Sequence, residues 1–332
     1  GYTSAESIAF FNKNLQFPIY AYSHNTNYFS RLWLVARVIR KQRPKVVIAS
    51  GSNSVWIASF YKYFFRFYKL VVIVHGGELA FKSKVRRGLI NWSCRVADHI
   101  ISVSAYTKQF IPGGQESKIT VINNGANHFL LKTLYRQEEL KAKYGYSGKK
   151  ILLTVGSVSE RKGQDIVIRA LKNVLKCNPN VVYLMAGRSN NINYFKSVAR
   201  EIGVEEQAKF LGSVSADFVL ELYNMADLYV ISSRHSSDGD FEGFGISVIE
   251  AALCGVPAVV TRDSGLVEAI EEGITGVSVP PENAEALAQA IVELLDDRTR
   301  IPMGVAAKKR AEESFTWEKV AGLYDRVLRK LA

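Results

Sequence analysis

Glu242 and Glu250, two acidic residues with seven others between them, mark the stretch of this chain best equipped for chemistry, residues 233–257 (SRHSSDGDFEGFGISVIEAALCGVP). Gly243, Phe244 and Gly245 follow the first carboxylate, and residues 246–253 read as a helix that places Glu250 about one turn inside. A glycine-flanked helix start leaves backbone N–H groups free beside a partial positive charge, which suits phosphate. Glycine also lets a bulky ligand come close to the backbone. Carboxylates on either side of that phosphate could accept hydrogen bonds from a sugar's hydroxyls and from a ribose. The outline is that of a nucleotide-sugar site. A glycine turn capping an ordinary helix would look the same in isolation, so the neighbouring elements must decide.

Those elements alternate. Strands are predicted at 45–49, 70–74, 99–103 and 119–122, with helices at 29–41, 84–97 and 104–110, and a short strand at 17–22. After a helix at 135–144 and the linker run Gly145-Tyr146-Ser147-Gly148, a second set follows. Its strands are predicted at 151–155, 181–186, 210–212, 228–231, 258–261 and 276–279. Its helices are predicted at 164–176, 192–202, 216–225, 246–253 and 284–295, with another starting near Gly265 and an amphipathic helix at 320–331. Short apolar strands alternating with helices imply parallel sheets covered on both faces. The expected fold class is α/β, with two Rossmann-like doubly wound domains and the ligand at the carboxyl ends of their strands, in the cleft between. The expected division is 1–147 for the first domain, 148–314 for the second and 315–332 for the final helix.

Composition narrows the field. At 332 residues, 48% hydrophobic and 22% charged, the chain is an ordinary two-domain globular sequence. Cys94, Cys177 and Cys254 are far apart, form no CxxC pair and are expected to be buried thiols, which favours a cytoplasmic compartment. Charge is uneven: residues 1–150 carry 23 Lys and Arg against 6 Asp and Glu, +17, and the remainder 20 against 25, −5. A basic half implies an anionic partner: a membrane surface, a nucleic acid or a phosphorylated substrate. No nucleic-acid motif accompanies the charge, and nucleic acid is not expected as a partner. The most apolar window, 55–74, is interrupted by Lys62, Arg66 and Lys69, which argues against a spanning helix. Its aromatic and basic run YKYFFRFYK (61–69), with the basic segment 82–95, suits peripheral docking on an anionic membrane, although the same rings would also serve as core.

The second half carries an ordered series of motifs: VGSVSERKGQD (155–165), MAG (185–187), FLGSV (210–214), YNMADLYVISS (223–233), FEGFGISVIEAALCGVPAVVT (241–261) and GVSVPPENAEALAQAI (276–291). Together they resemble the nucleotide-sugar-binding domain of retaining glycosyltransferases of family 4, which have the GT-B architecture. The resemblance covers about residues 45–331 and is most specific in the second half. DGDFEGFG looks most like bacterial mannosyltransferases acting on lipid-linked acceptors. It implies that Glu242 reaches sugar hydroxyls, that Glu250 holds the ribose, and that the N–H groups of Gly243, Phe244 and Gly245, with Ile246 behind them, meet diphosphate and sugar. Lys162 would neutralise the departing diphosphate, where the transition state gathers negative charge. Gly156, Ser157, Gly187 and Val214 complete the implied donor set, and His75 in VHGGE would contact the donor sugar near the acceptor. The final helix would cross back to the first domain.

Three departures from the family pattern stand out. Gly156-Ser157 replaces a glycine followed by arginine, so Arg161 is assigned the second positive charge. Asn123-Asn124-Gly125 replaces Pro-Asn-Gly. The family's first strand and glycine-rich loop have no counterpart before Gly1, and an N-terminally truncated chain or a variant first domain is expected. Asp238-Gly239-Asp240 mimics a metal-binding DxD but precedes a glycine loop, so no metal is expected, and no cofactor beyond the sugar-nucleotide co-substrate. The resulting expectation is retaining transfer of a hexose from GDP-mannose or a UDP-hexose to a hydroxyl acceptor, lipid-linked or in envelope polysaccharide. The rivals are a sugar-nucleotide epimerase, which would turn over donor without acceptor, and a non-catalytic nucleotide-sugar-binding protein.

Overall fold

The computed structural model describes residues 28–332 except Phe81, Tyr135 and Asp238, and leaves out the side chains of Tyr28, Phe29 and Arg31. The strand expected at 17–22 falls outside the described residues. The described residues form two parallel sheets. The first has four strands in sequential order: β1 (Val46–Ser50), β2 (Lys69–Val74), β3 (His99–Ser102) and β4 (Ile119–Val121). Along β2 the side chains alternate between faces. Leu70, Val72 and Val74 pack with Val55, Ala58, Ile90 and Cys94 of α2 (Ser52–Phe64) and α3 (Lys84–Val96), the helices that follow α1 (Tyr28–Gln42). Val71 and Ile73 point the other way, towards Val320, Leu323, Tyr324 and Val327 of the C-terminal helix. Burial on both faces is why the segment reads as an unbroken apolar run.

The second sheet has six strands. They are β5 (Lys150–Val155), β6 (Val181–Ala186), β7 (Ala208–Gly212), β8 (Leu228–Ile231), β9 (Ala258–Thr261) and β10 (Gly276–Val279), arranged β10-β9-β8-β5-β6-β7. The order reverses between β5 and β8, which opens a crevice beyond the carboxyl ends of those two strands. One face packs on α6 (Gln164–Cys177), α7 (Ile192–Ile202) and α10 (Ala284–Leu294), and the other on α8 (Ala216–Met225) and α9 (Ile246–Leu253). The short helix α4 (Ala105–Lys108) follows β3, and α5 (Gln137–Lys143) follows the first crossing between domains. Although α5 precedes residue 147, it packs against α8. There the buried Lys141 meets Asp227 at 3.0 Å, and Asp227 accepts the Ile151 N–H at 2.7 Å.

An 18-residue helix, α11 (Asp297–Ser314), occupies a region for which the sequence suggested no element. Pro302 lies inside it and its polar residues show little one-sided periodicity, so the pattern that marks a helix was absent, although Asp296 caps its start by accepting the Arg298 N–H at 3.0 Å. The last helix, α12 (Trp317–Leu331), is capped by the Thr316 hydroxyl and returns to the first sheet. Its entry runs beside the first crossing: the Ala126 N–H donates to the Phe315 carbonyl at 2.8 Å, and a Cβ on Gly125 would stand 3.1 Å from the Trp317 ring. Cys94 and Cys254 are buried, as expected, but Cys177 is exposed at the end of α6, where the chain leaves the core.

Candidate functional site

The loops after β5 and β8 are pinned together by backbone. Gly163 sits at φ 67°, and a Cβ there would stand 1.8 Å from the Ser232 carbonyl, so only glycine lets the loops meet. The Arg234 N–H then donates to the Arg161 carbonyl at 2.9 Å. Gly187 permits the same close approach between β5 and β6, since a Cβ would stand 1.8 Å from the Gly156 carbonyl. The packing aims both cations of the β5 loop at one carboxylate. Arg161 Nη1 is 2.5 Å and Lys162 Nζ 2.6 Å from the same Glu242 oxygen, and Arg161 Nε reaches Asp240 at 3.1 Å. The carboxylate assigned to sugar and the cations assigned to diphosphate therefore neutralise one another, and an incoming phosphate would compete with Glu242 for them.

Helix α9 follows Gly245 with no side-chain cap. The Ile246 and Val248 N–H groups donate to the Phe244 and Gly245 carbonyls at 3.3 and 3.0 Å, so an anion at this helix start would compete with backbone acceptors. One turn in, Glu250 accepts the Tyr223 hydroxyl at 2.7 Å. Burial pushes its carboxyl above the usual range, while Tyr223 and Lys162 pull against that shift. Across the cleft, His75 follows β2. It is exposed, its Nε2 lies 2.8 Å from the Ser50 hydroxyl, and its N–H donates to Glu78 at 2.7 Å. The walls touch at glycine: a Cβ on Gly243 would stand 1.8 Å from the His75 carbonyl, and one on Gly76 would stand 2.8 Å from the Phe241 ring. Thr107 donates to the Gly243 carbonyl at 3.3 Å, Tyr106 bonds His235 at 2.6 Å, and Lys82 bonds the Ser237 carbonyl.

A 230 Å³ cavity in this cleft is lined by His75, Arg161, Glu242, Gly243, Phe244 and Ile246 of the expected set. It is also lined by Gly77, Asn124 and Asp240, which motif reading did not assign to the donor. Asp240 was legible beside Glu242 in DGDFEGFG and Asn124 in the Asn-Asn-Gly turn, whereas Ser50, the partner of His75, carries no local signal. Lys162 joins through Glu242 and Gly187 through Gly156. Ser157 instead lines a neighbouring 590 Å³ cavity with Arg188, Tyr194 and Arg234, and Val214 belongs to the apolar cluster that holds Tyr223, Phe244 and Val248. A 770 Å³ cavity between residues 133–139 and 300–312 contains none of the expected residues. Among the described residues no cluster of three or more His, Cys, Asp or Glu could hold a metal, and no helix is long and apolar enough to cross a membrane.

Comparison with known proteins decides the family. A profile for glycosyl transferases group 1 matches residues 136–313, and one for glycosyltransferase family 4 matches residues 10–128. The chain belongs to this glycosyltransferase family. Among its relatives, an uncharacterized glycosyltransferase of Methanocaldococcus jannaschii is 30% identical over 254 residues, 74% of this chain and 63% of that protein. A GDP-mannose-dependent alpha-(1-6)-phosphatidylinositol monomannoside mannosyltransferase of Mycolicibacterium smegmatis is 31% identical over 180 residues, 54% of this chain and 47% of that protein. The matches thus span about half to two thirds of those relatives. Anabaena HepE, solved with UDP and glucose, superposes with a TM-score of 0.80 at 23% identity, covering 97% of this chain and 88% of that one. The shared architecture is GT-B, two parallel-sheet domains facing a cleft.

Proposed function

We propose that this chain is a retaining hexosyltransferase that uses a nucleoside diphosphate sugar, GDP-mannose or a UDP-hexose, and a hydroxyl acceptor. The observation that carries the reading is the convergence of Arg161, Lys162, Glu242 and the uncapped start of α9 at the strand-order reversal, opposite His75. Two adjacent cations and a helix start that no side chain caps suit a diphosphate, and Glu250 one turn along suits a ribose. The mannosyltransferase relative supports a GDP-mannose donor, and the superposition with HepE leaves a UDP-hexose as the alternative.

In the proposed reaction the bond from the sugar's anomeric carbon to the diphosphate breaks as the bond to the acceptor oxygen forms on the same face. The acceptor's proton passes to the departing phosphate oxygen. Lys162 and Arg161, freed from Glu242, stabilise the leaving charge, while Glu242 turns to the sugar's hydroxyls. Closure of the first domain brings His75 over the sugar and excludes water. No metal takes part in this scheme.

For the acceptor we propose a lipid-linked hydroxyl at the cytoplasmic face of an anionic membrane. Phe60, Tyr63, Phe64 and Phe67 are exposed at the end of α2 and beyond it, and Val85 and Leu89 are exposed on α3 among Lys84, Arg86 and Arg87. Tyr68, by contrast, is a core residue. Apolar rings beside cations fit a lipid interface.

A donor screen tests the reading. GDP-mannose and UDP-hexoses are incubated with and without a lipid-linked or short-chain hydroxyl acceptor, with and without EDTA. Transfer with retained anomeric configuration, insensitive to EDTA, is expected. Isomerisation of donor without acceptor would favour an epimerase, and donor binding without turnover a binding protein.

A further inference from the structure

We propose that Glu268 is a positioning residue for transfer, a latch whose carboxylate holds the second domain closed on the first; the assignment rests on the transfer reading above. Glu268 lies in the helical turn Gly265–Ala269 that follows β9. One of its oxygens accepts the Tyr106 N–H at 2.8 Å, and the other accepts the Ala105 N–H at 2.9 Å and the Asn123 side-chain amide at 3.2 Å. All three donors belong to the first domain. A charged acceptor on three N–H groups makes a strong contact, and one that exists only when the cleft is shut.

The turn is anchored on its own side as well. Arg310 of α11 donates to the Glu268 carbonyl at 3.0 Å and to the Ala269 carbonyl at 2.9 Å. At the other end the Gly265 N–H donates to the Glu242 carbonyl at 2.9 Å, and a Cβ on Gly265 would stand 2.0 Å from the Gly243 carbonyl. The latch and the donor loop are therefore one rigid piece. When Glu268 seats on α4, Gly243 is delivered to the backbone of His75. Asn123 also bonds the Val103 carbonyl at 2.9 Å, so its amide is already oriented before closure. A proline here, as in the Pro-Asn-Gly pattern, would supply no such donor.

Removing the carboxylate leaves three N–H groups without their acceptor in the closed form alone, which shifts the population towards the open form. The donor is held mainly by the second domain, so the loss is expected in kcat rather than in donor KM.

The test uses the full chain, with one spin label on exposed Cys177 and another on an introduced Lys41→Cys. Pulsed-EPR distances are read without substrate, followed by steady-state transfer. Glu268→Ala is expected to shift the distribution to longer distances and to lower kcat by roughly 5- to 150-fold. Donor KM should stay within about twofold, because ground-state donor binding is untouched. Glu268→Gln, which keeps one accepting oxygen, should fall between, and Asn123→Ala should move both readouts least. Should the alanine variant misfold, the glutamine and Asn123 variants carry the same test. Unchanged distances, or an unchanged kcat, would overturn the latch. If the unmodified chain transfers no sugar, the distances still judge the latch, and only the transfer reading falls.

Discussion

The second sheet is buried at every position of β6, β8 and β9, while among the described residues of the first sheet β1 is the outer strand, where Ile48 is 46% exposed and only Ala49 is buried. The cations assigned to the leaving group, both family carboxylates and the uncapped helix start stand on the well-buried sheet. The exposed rings Phe60, Tyr63, Phe64 and Phe67 and the chain's net positive charge stand on the other. The contrast separates two demands. Positioning a diphosphate to within a fraction of an ångström calls for loops pinned by glycine contacts, as at Gly163 and Gly187. Meeting an acceptor and closing over it calls for a surface that can move and adhere.

The sharpest way to break the contrast is to remove α12, because the first sheet borrows that helix for one whole face. Ending the chain after Phe315 should uncover Val71, Ile101 and Ile122 and cost the first domain at least ~3 kcal/mol. The second domain's unfolding should stay within a few degrees, as read by calorimetry with hydrogen exchange. Substitution at the site should follow next in size. Lys162→Ala is expected to lower kcat by about 10²- to 10³-fold with an unchanged melting temperature. His75→Ala, removing a single hydrogen bond, should cost only about tenfold. Equal losses would mean that the chemistry is shared evenly between the domains.

Glu250 allows a finer test with opposite signs. Burial raises its carboxyl above the usual 4.5, so the folded chain keeps that proton to higher pH than the unfolded chain does. The group therefore costs stability progressively as pH rises from about 4.5 through its raised value, and the full cost is present above it. Glu250→Gln should raise the melting temperature at pH 7, while weakening donor binding about tenfold. Below pH 4 the two melting temperatures should converge. The mildest change concerns the first domain's surface. A triple substitution of Tyr63, Phe64 and Phe67 by serine should abolish sedimentation with anionic vesicles at low salt. Turnover of a soluble acceptor should stay within about twofold, because these rings lie outside the cleft.

Much of the second domain was legible because its signals are local. The apolar run of β6 and the helices at Ile192–Ile202, Ala216–Met225 and Ile246–Leu253 fall where periodicity placed them. The family motifs were legible for the same reason, each one being a strand end and its turn. What escaped was long-range. Glu268 looks like any helix-start acid until α4, more than 160 residues earlier in the chain, supplies its donors. Arg310 was invisible because Pro302 obscured the helix that carries it. The mutual pairing of Arg161 and Lys162 with Glu242 could not be read from spacing either, since it depends on how two loops cross.

The double crossing at Ala126 and Phe315 also sets an order of assembly. The second domain is essentially contiguous in sequence, so it can form as soon as it emerges from the ribosome. The first domain is begun earlier but cannot cover Val71 and Ile101 until α12, which follows the second domain in the sequence, has been made. The domain begun first is therefore the one finished last, and its long-range closure should be the slow step of folding.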